Sequence, residues 1–216
     1  MQATRPLVSH QGITPFVADV WGSRSKVVDS AGRLTPVYRG QHGPAEHCGE
    51  TVLASLSFSS ARAASIYAGD PNDRRHVVQA PKVFPVYLDM RNPFVDCADD
   101  PFLDFDVYAG IFGVAEAQRL AVKFKDQVHN TNAWEDVSAD FKSVEVLIER
   151  QPDLLMQLCI LLYPVLDDSE EVSRLRARGF DGAIHAGSGW GSAEEVEYRV
   201  FSMDQVRSVW DPRSVV

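Results

Sequence analysis

The feature that most limits what this chain can fold into is the alternation in Glu195-Val196-Glu197-Tyr198-Arg199-Val200-Phe201. Side chains two apart on a strand share a face, so burying Val196, Tyr198 and Val200 turns Glu195, Glu197 and Arg199 the other way. Two carboxylates then stand about 7 Å apart along one face, which packing alone explains poorly. The same half-buried habit appears far upstream, where Leu56 and Phe58 flank Ser57 and lead to Ser59. Earlier still comes Val37-Tyr38-Arg39-Gly40. An arginine, a serine-bearing strand and a Glu-x-Glu, in that order, predict a cleft for an anionic ligand.

The rest of the chain divides around these strands. Residues 1–34 mix Gly, Ser, Pro and charge with short apolar runs, and read as a lead-in to a single domain over 35–216. Pro36 to Arg39 and Leu53 to Phe58 read as strands. Ser60 to Tyr67 reads as a short Ala-rich helix with Ser59 or Ser60 as its N-cap. Gly69 to Asp73 is a turn by composition. Val83 to Met90 reads as a strand closed by Asn92-Pro93. The middle then changes period: Val114, Ala117, Ala121, Phe124 and Val128 recur at helical spacing, and Phe141, Val144 and Ile148 continue the habit. Pro152 is placed to start a helix at Leu154. Glu170 to Arg178 reads as a charged helix ended by Gly179. Residues 98–178 are thus a mostly helical insertion in a β-rich scaffold, and Phe180 to His185 returns to strand character.

Composition narrows the function. The chain has 216 residues, 45% of them hydrophobic and 24% charged, which is ordinary for a globular domain with a real core. A net charge of −9 disfavours non-specific nucleic-acid binding and suits a basic protein target. Cys48, Cys97 and Cys159 are odd in number and widely spaced, as expected of reduced thiols in a cytoplasmic setting. The N-terminus lacks a secretory h-region. The apolar run Leu154 to Leu166 is too short, and too interrupted by Gln157 and Pro164, to span a membrane. His42, His47 and Cys48 have no standard zinc spacing and no convincing fourth ligand, so no metal is expected. No nucleophile elbow surrounds Cys48.

The ordered motifs carry a family resemblance. Arg39, Ser57-Phe58-Ser59 and Glu195-x-Glu197 resemble the three motifs of the arginine–serine–glutamate mono-ADP-ribosyltransferases, a class that includes bacterial toxins and phage-encoded modifiers of host proteins. The segment from Phe58 to Ala68 resembles the strand-into-helix step of the wider superfamily, and Glu197 to Phe201 followed by Gln205-Val206 its last strand and exit. The resemblance covers roughly residues 35–95 and 178–210. It implies an α+β fold, a split β-sandwich of two small sheets around an NAD cleft, with the helical insertion added. Two departures stand out: the helix ending at Tyr67 looks like the histidine-first branch of the superfamily, and Phe58 replaces the small residue usual in toxins.

The resemblance also implies roles. Glu197 would hydrogen-bond the ribose 2′-hydroxyl of NAD and stabilise an oxocarbenium-like transition state, as in glycoside hydrolysis. Glu195 would orient a target arginine and accept its proton, since a guanidinium is a poor nucleophile. Arg39 would contact the NAD phosphates, and Gly40 would leave room for the nicotinamide carboxamide. Ser57 would position Glu197, with Ser59 on the same face. Tyr67 would stack on nicotinamide or sit in the core. Gly187 to Ser192 lacks the GxGxxG spacing and leads into a strand, so it is no Rossmann loop. It matches the position of a substrate-recognition loop, with Trp190 as the anchor for a protein target. Three functions follow: an arginine-directed transferase acting on a target protein, an NAD glycohydrolase on the same pocket, or a non-catalytic binding module.

Overall fold

The structure is a computed structural model that describes residues 20–41, 48, 49, 51, 53–69, 81–187 and 195–211. In chain order the elements are β1 (Val37–Gln41), β2 (Leu56–Phe58), α1 (Ala61–Gly69), β3 (Lys82–Leu88), β4 (Pro93–Cys97) and β5 (Phe102–Asp104). Next come α2 (Phe105–Phe112), α3 (Val114–Lys123), α4 (Lys125–Val128), α5 (Asn132–Val137), α6 (Val144–Arg150) and a 3-10 turn over Pro152–Gln157. The chain continues through β6 (Cys159–Leu161), α7 (Leu162–Asp167), α8 (Ser169–Ala177), β7 (Gly182–Ala186), β8 (Val196–Val200) and β9 (Val206–Ser208). This is an α+β fold with several small sheets.

One sheet has the order β1-β3-β9, a second the order β2-β8-β7-β4, and β5 and β6 form a two-stranded ribbon. All pairings are antiparallel except β4 with β7. The two larger sheets are stitched at one point, where Tyr38 and Ser59 exchange backbone hydrogen bonds of 2.8 and 2.9 Å. Between them lies a core built from Val37, Leu56, Phe58, Leu88, Ile184 and Val200, all nearly closed to solvent. A second core includes Phe105, Tyr108, Leu120, Leu147 and Leu162 from the helical region and takes in Ala183 of β7. The four-stranded sheet is therefore the middle layer. Strand β7 is buried at every position, as expected of a strand covered on both faces.

The alternation in β8 resolves as the sequence requires. Val200 joins the core between the sheets and Val196 and Tyr198 pack against it, while Glu197 and Arg199 point to the other side, toward the helical layer. Gly40 is explained by a close approach: a Cβ there would stand 2.0 Å from the Ala64 carbonyl oxygen of α1. The absence of a side chain lets α1 lie on β1. Gly179 ends α8 with φ +88°, a left-handed conformation that favours glycine.

Several expectations need correction. Pro93 opens β4 rather than closing β3, because its fixed φ suits the first position of a strand that needs no N–H there. The stripe from Val114 to Val128 is broken at Phe124 into α3 and α4, and Val114 is 52% exposed. The turn after Pro152 is 3-10 and runs into β6, so the insertion holds a β-ribbon as well as helices. Part of the lead-in also belongs to the domain. Val27 is 1% exposed in the core between the sheets, and Ser25 donates to the Leu88 carbonyl at 2.7 Å. Among the described residues no helix is long and apolar enough to cross a membrane.

Candidate functional site

The pairing of β2, β8 and β7 decides which polar groups meet. Ser57 lies opposite Arg199 across β2 and β8, and Glu197 lies opposite His185 across β8 and β7. Directly opposed residues on antiparallel strands project to the same face. Ser57 Oγ donates to Glu197 Oε1 at 2.7 Å, joining residues 140 positions apart in the chain. Arg199 Nη1 donates to the same oxygen at 3.0 Å. Both contacts fall on Oε1. Among the described residues Oε2 accepts no hydrogen bond, and 17% of the Glu197 side-chain surface stays open.

Arg39 enters from the neighbouring sheet. Its Nη1 donates to the Ser57 carbonyl at 3.0 Å, and its guanidinium carbon lies 5.9 Å from the centre of the Phe58 ring. Burial lowers its pKa, helped by the charge of Arg199 and opposed by Tyr67, Cys48 and Glu197. Phe58 in the middle of Ser-x-Ser thus serves both the core and the arginine. Ser59 Oγ donates to the Val196 carbonyl at 2.6 Å, which ties the edge of β2 to β8 beside Glu197.

Glu195 is held apart from this group. Ser60 accepts from the Ala63 N–H at 3.1 Å as the cap of α1, and its hydroxyl also donates to Glu195. Arg62 stands 4.0 Å from the other carboxylate oxygen. A carboxylate is favoured at a helix N-terminus, and Glu195 sits at that of α1. Tyr67 is 49% exposed on α1 and within electrostatic reach of Arg39, so its buried alternative is excluded. Trp190, the loop around it, His42 and His47 lie outside the described residues.

Four further participants had no role assigned from the sequence. Arg199 is 3% exposed: its Nε donates to Ser55 Oγ at 2.9 Å and its Nη2 to the Asp167 carboxylate. Ser55 Oγ in turn donates to the Leu166 carbonyl at 2.7 Å. His185 is fully buried, with Nδ1 2.7 Å from the Ala186 carbonyl oxygen. A carbonyl only accepts, so Nδ1 carries the proton. Burial holds the His185 pKa down against the pull of Glu197. The alternation placed Arg199 on the site face, but nothing local pointed to Asp167 or Ser55 as its partners.

The electrostatics favour an ionised Glu197. Burial pushes its carboxyl up, yet the Arg199 charge, the His185 ring and the hydrogen bonds from Ser57 and Arg199 outweigh that and leave it below the ordinary glutamate value. Such a carboxylate suits charge stabilisation better than proton donation at neutral pH. A second acidic group, Asp168, Glu170 and Glu171, brings ligand atoms within 4.8 Å of one another. Lys123 Nζ already stands 2.9, 3.0 and 2.8 Å from the three carboxylates, where a metal ion would sit.

Compared with protein-family models, with curated proteins and with solved structures, the chain matches none.

Proposed function

We propose that this protein is a mono-ADP-ribosyltransferase of the arginine–serine–glutamate class, moving ADP-ribose from NAD to an arginine of a target protein with release of nicotinamide. The observation that carries the reading is the 2.7 Å hydrogen bond from Ser57 to Glu197, with Arg39 bound to the Ser57 carbonyl. Three motif residues that resemble the family in sequence order also meet in space. The two sheets joined at Tyr38 and Ser59 are consistent with a split β-sandwich of the ADP-ribosyltransferase type.

The chain's own groups fit the substrate. Arg39 supplies a forked cation for the pyrophosphate, and Glu197 Oε2 is open to accept from a ribose hydroxyl. In the reaction the bond from C1′ to the nicotinamide nitrogen breaks, and its electron pair neutralises the pyridinium. Positive charge then develops on the ribose, where an ionised Glu197 stabilises it. The guanidine nitrogen of the acceptor bonds to C1′, and its proton passes to a base for which Glu195 is placed two residues away. Trp190 and its loop are assigned to the target protein. The setting proposed is the cytoplasm of the producing or the target cell, as a toxin or phage effector, with free thiols at Cys48, Cys97 and Cys159.

One observation favours a second reading. Glu195 is engaged by Ser60 and Arg62, and an acceptor-activating carboxylate so engaged would leave water as the acceptor, making an NAD glycohydrolase. Transfer of labelled ADP-ribose to proteins of a cell lysate separates the two. Labelled bands lost in both Glu197→Gln and Glu195→Gln, with NAD cleavage retained in the latter, support the transferase. NAD cleavage with no labelled protein supports the glycohydrolase. NAD binding without either, in folded protein, would leave a binding module.

A further inference from the structure

The helical layer reaches the site through a short chain of polar contacts. Asp167 is the last residue of α7, a helix anchored by the buried side chains of Leu162, Val165 and Leu166. Its carboxylate receives Arg199 Nη2, while Arg199 Nε goes to Ser55 Oγ and Nη1 to Glu197 Oε1. Ser55 is itself fixed on the Leu166 carbonyl. A guanidinium is planar with its N–H groups in a rigid fork. Three partners in three directions therefore fix its plane, and two of those holds come from α7, directly or through Ser55.

We infer that Asp167 is a positioning residue, which holds Arg199 against Glu197 and so makes the 98–178 region an integral part of the site. The inference rests on the reading of Glu197 as the carboxylate that acts on NAD. A remote insertion would leave the site geometry to the two sheets. Here, loss of the Asp167 charge leaves a 3% exposed guanidinium with a single carboxylate partner and only Ser55 to hold it from the α7 side, so it turns more readily away from Oε1.

A bland alternative is that Asp167 only neutralises charge, and the two ideas predict opposite signs. The groups facing Glu197 are Ser57 from β2, Arg199 on its own strand, His185 from β7 and Arg39 from β1, with Asp167 behind Arg199. Removing a nearby negative charge, with Arg199 unmoved, makes Glu197 easier to ionise. Removing the hold on Arg199 takes a cation away and makes Glu197 harder to ionise.

The test is a carboxyl carbon NMR titration of the full chain labelled at glutamate, with Glu197→Gln assigning the resonance. In Asp167→Asn the Glu197 midpoint is expected to rise by about 1 pH unit, and kcat for NAD cleavage to fall about tenfold with KM little changed. A midpoint that stays or falls overturns the inference. Should Asp167→Asn fail to fold, Ser55→Ala removes the other hold and carries the same sign with a smaller rise. The titration needs no turnover. If wild type never cleaves NAD but the midpoint still rises, the proposed activity fails and the positioning link stands; cleavage by wild type without the rise does the reverse.

Discussion

Two carboxylates in this molecule, one buried and one half-buried, have similar neighbours and opposite degrees of completion. Glu171 in α8 has a side chain with no exposed surface, and both of its oxygens are occupied. Oε1 accepts from Arg119 and Lys123 at 2.8 Å each, and Oε2 from Arg119 at 2.7 Å and Tyr108 at 3.2 Å. Glu197 also sits beside arginine, but among the described residues its two contacts share Oε1 and Oε2 accepts no hydrogen bond. A buried charge costs several kcal/mol unless its hydrogen bonds are met. A saturated carboxylate thus reads as a fastener between helices, and a half-saturated one as a group waiting for a ligand.

The contrast breaks most easily at Glu197. Changing it to Gln keeps the shape and removes the charge, so NAD cleavage is expected to fall by at least about a hundredfold, with the unfolding midpoint little moved. Steady-state nicotinamide release beside a denaturant melt reads both quantities. At Glu171 the pattern inverts. Glu171→Gln leaves Arg119 and Lys123 without their shared anion and should destabilise the fold by about 3–5 kcal/mol in urea unfolding. Any activity measured where that variant is folded should stay close to wild type.

Acid sharpens the same contrast. Burial raises the Glu171 pKa, but the hydrogen bonds from Arg119 and Lys123 overcome it and leave the carboxyl below its ordinary value. A depressed folded-state pKa gives stability that is present above the unfolded value and lost as pH falls through the folded one. Wild type should therefore weaken on acidification below about pH 4.3, and Glu171→Gln should weaken less over that window. Urea midpoints at a series of pH values give the comparison.

Gly40→Ala probes the sheet side. The new Cβ would meet a backbone oxygen, not a flexible side chain, so a loss of about 1–3 kcal/mol is expected as α1 shifts. The smallest effect belongs to Glu145. Its pKa is pushed down to about 2, first by the Ser143 hydroxyl, yet its side chain is 42% exposed where it meets Lys125. Solvent screening limits such a pair, and Glu145→Ala should change stability by under about 1 kcal/mol.

Much of the site was legible because periodicity is local. Alternation alone put Glu197 and Arg199 on one face, and the helix expected from Ser60 to Tyr67 is close to the α1 observed. What could not be read was long-range. Asp167 and Ser55 matter through Arg199, and nothing near either residue in sequence announces that meeting. Strand β7, Gly-Ala-Ile-His-Ala, has no alternation to assign a face because both of its faces are covered. Pro93 misled because the same residue can end one element or begin another. The charged helix expected over Glu170 to Arg178 did not single out Glu171, since its partners Arg119 and Lys123 lie about fifty positions upstream.

The most direct test of the account is nicotinamide release from NAD by purified wild type and Glu197→Gln, each shown to be folded by its melt. Release by wild type and its near-complete loss in the variant are expected at an unchanged melting temperature. Equal release by both proteins, or none from folded wild type, would contradict the assignment of Glu197 as the reactive carboxylate.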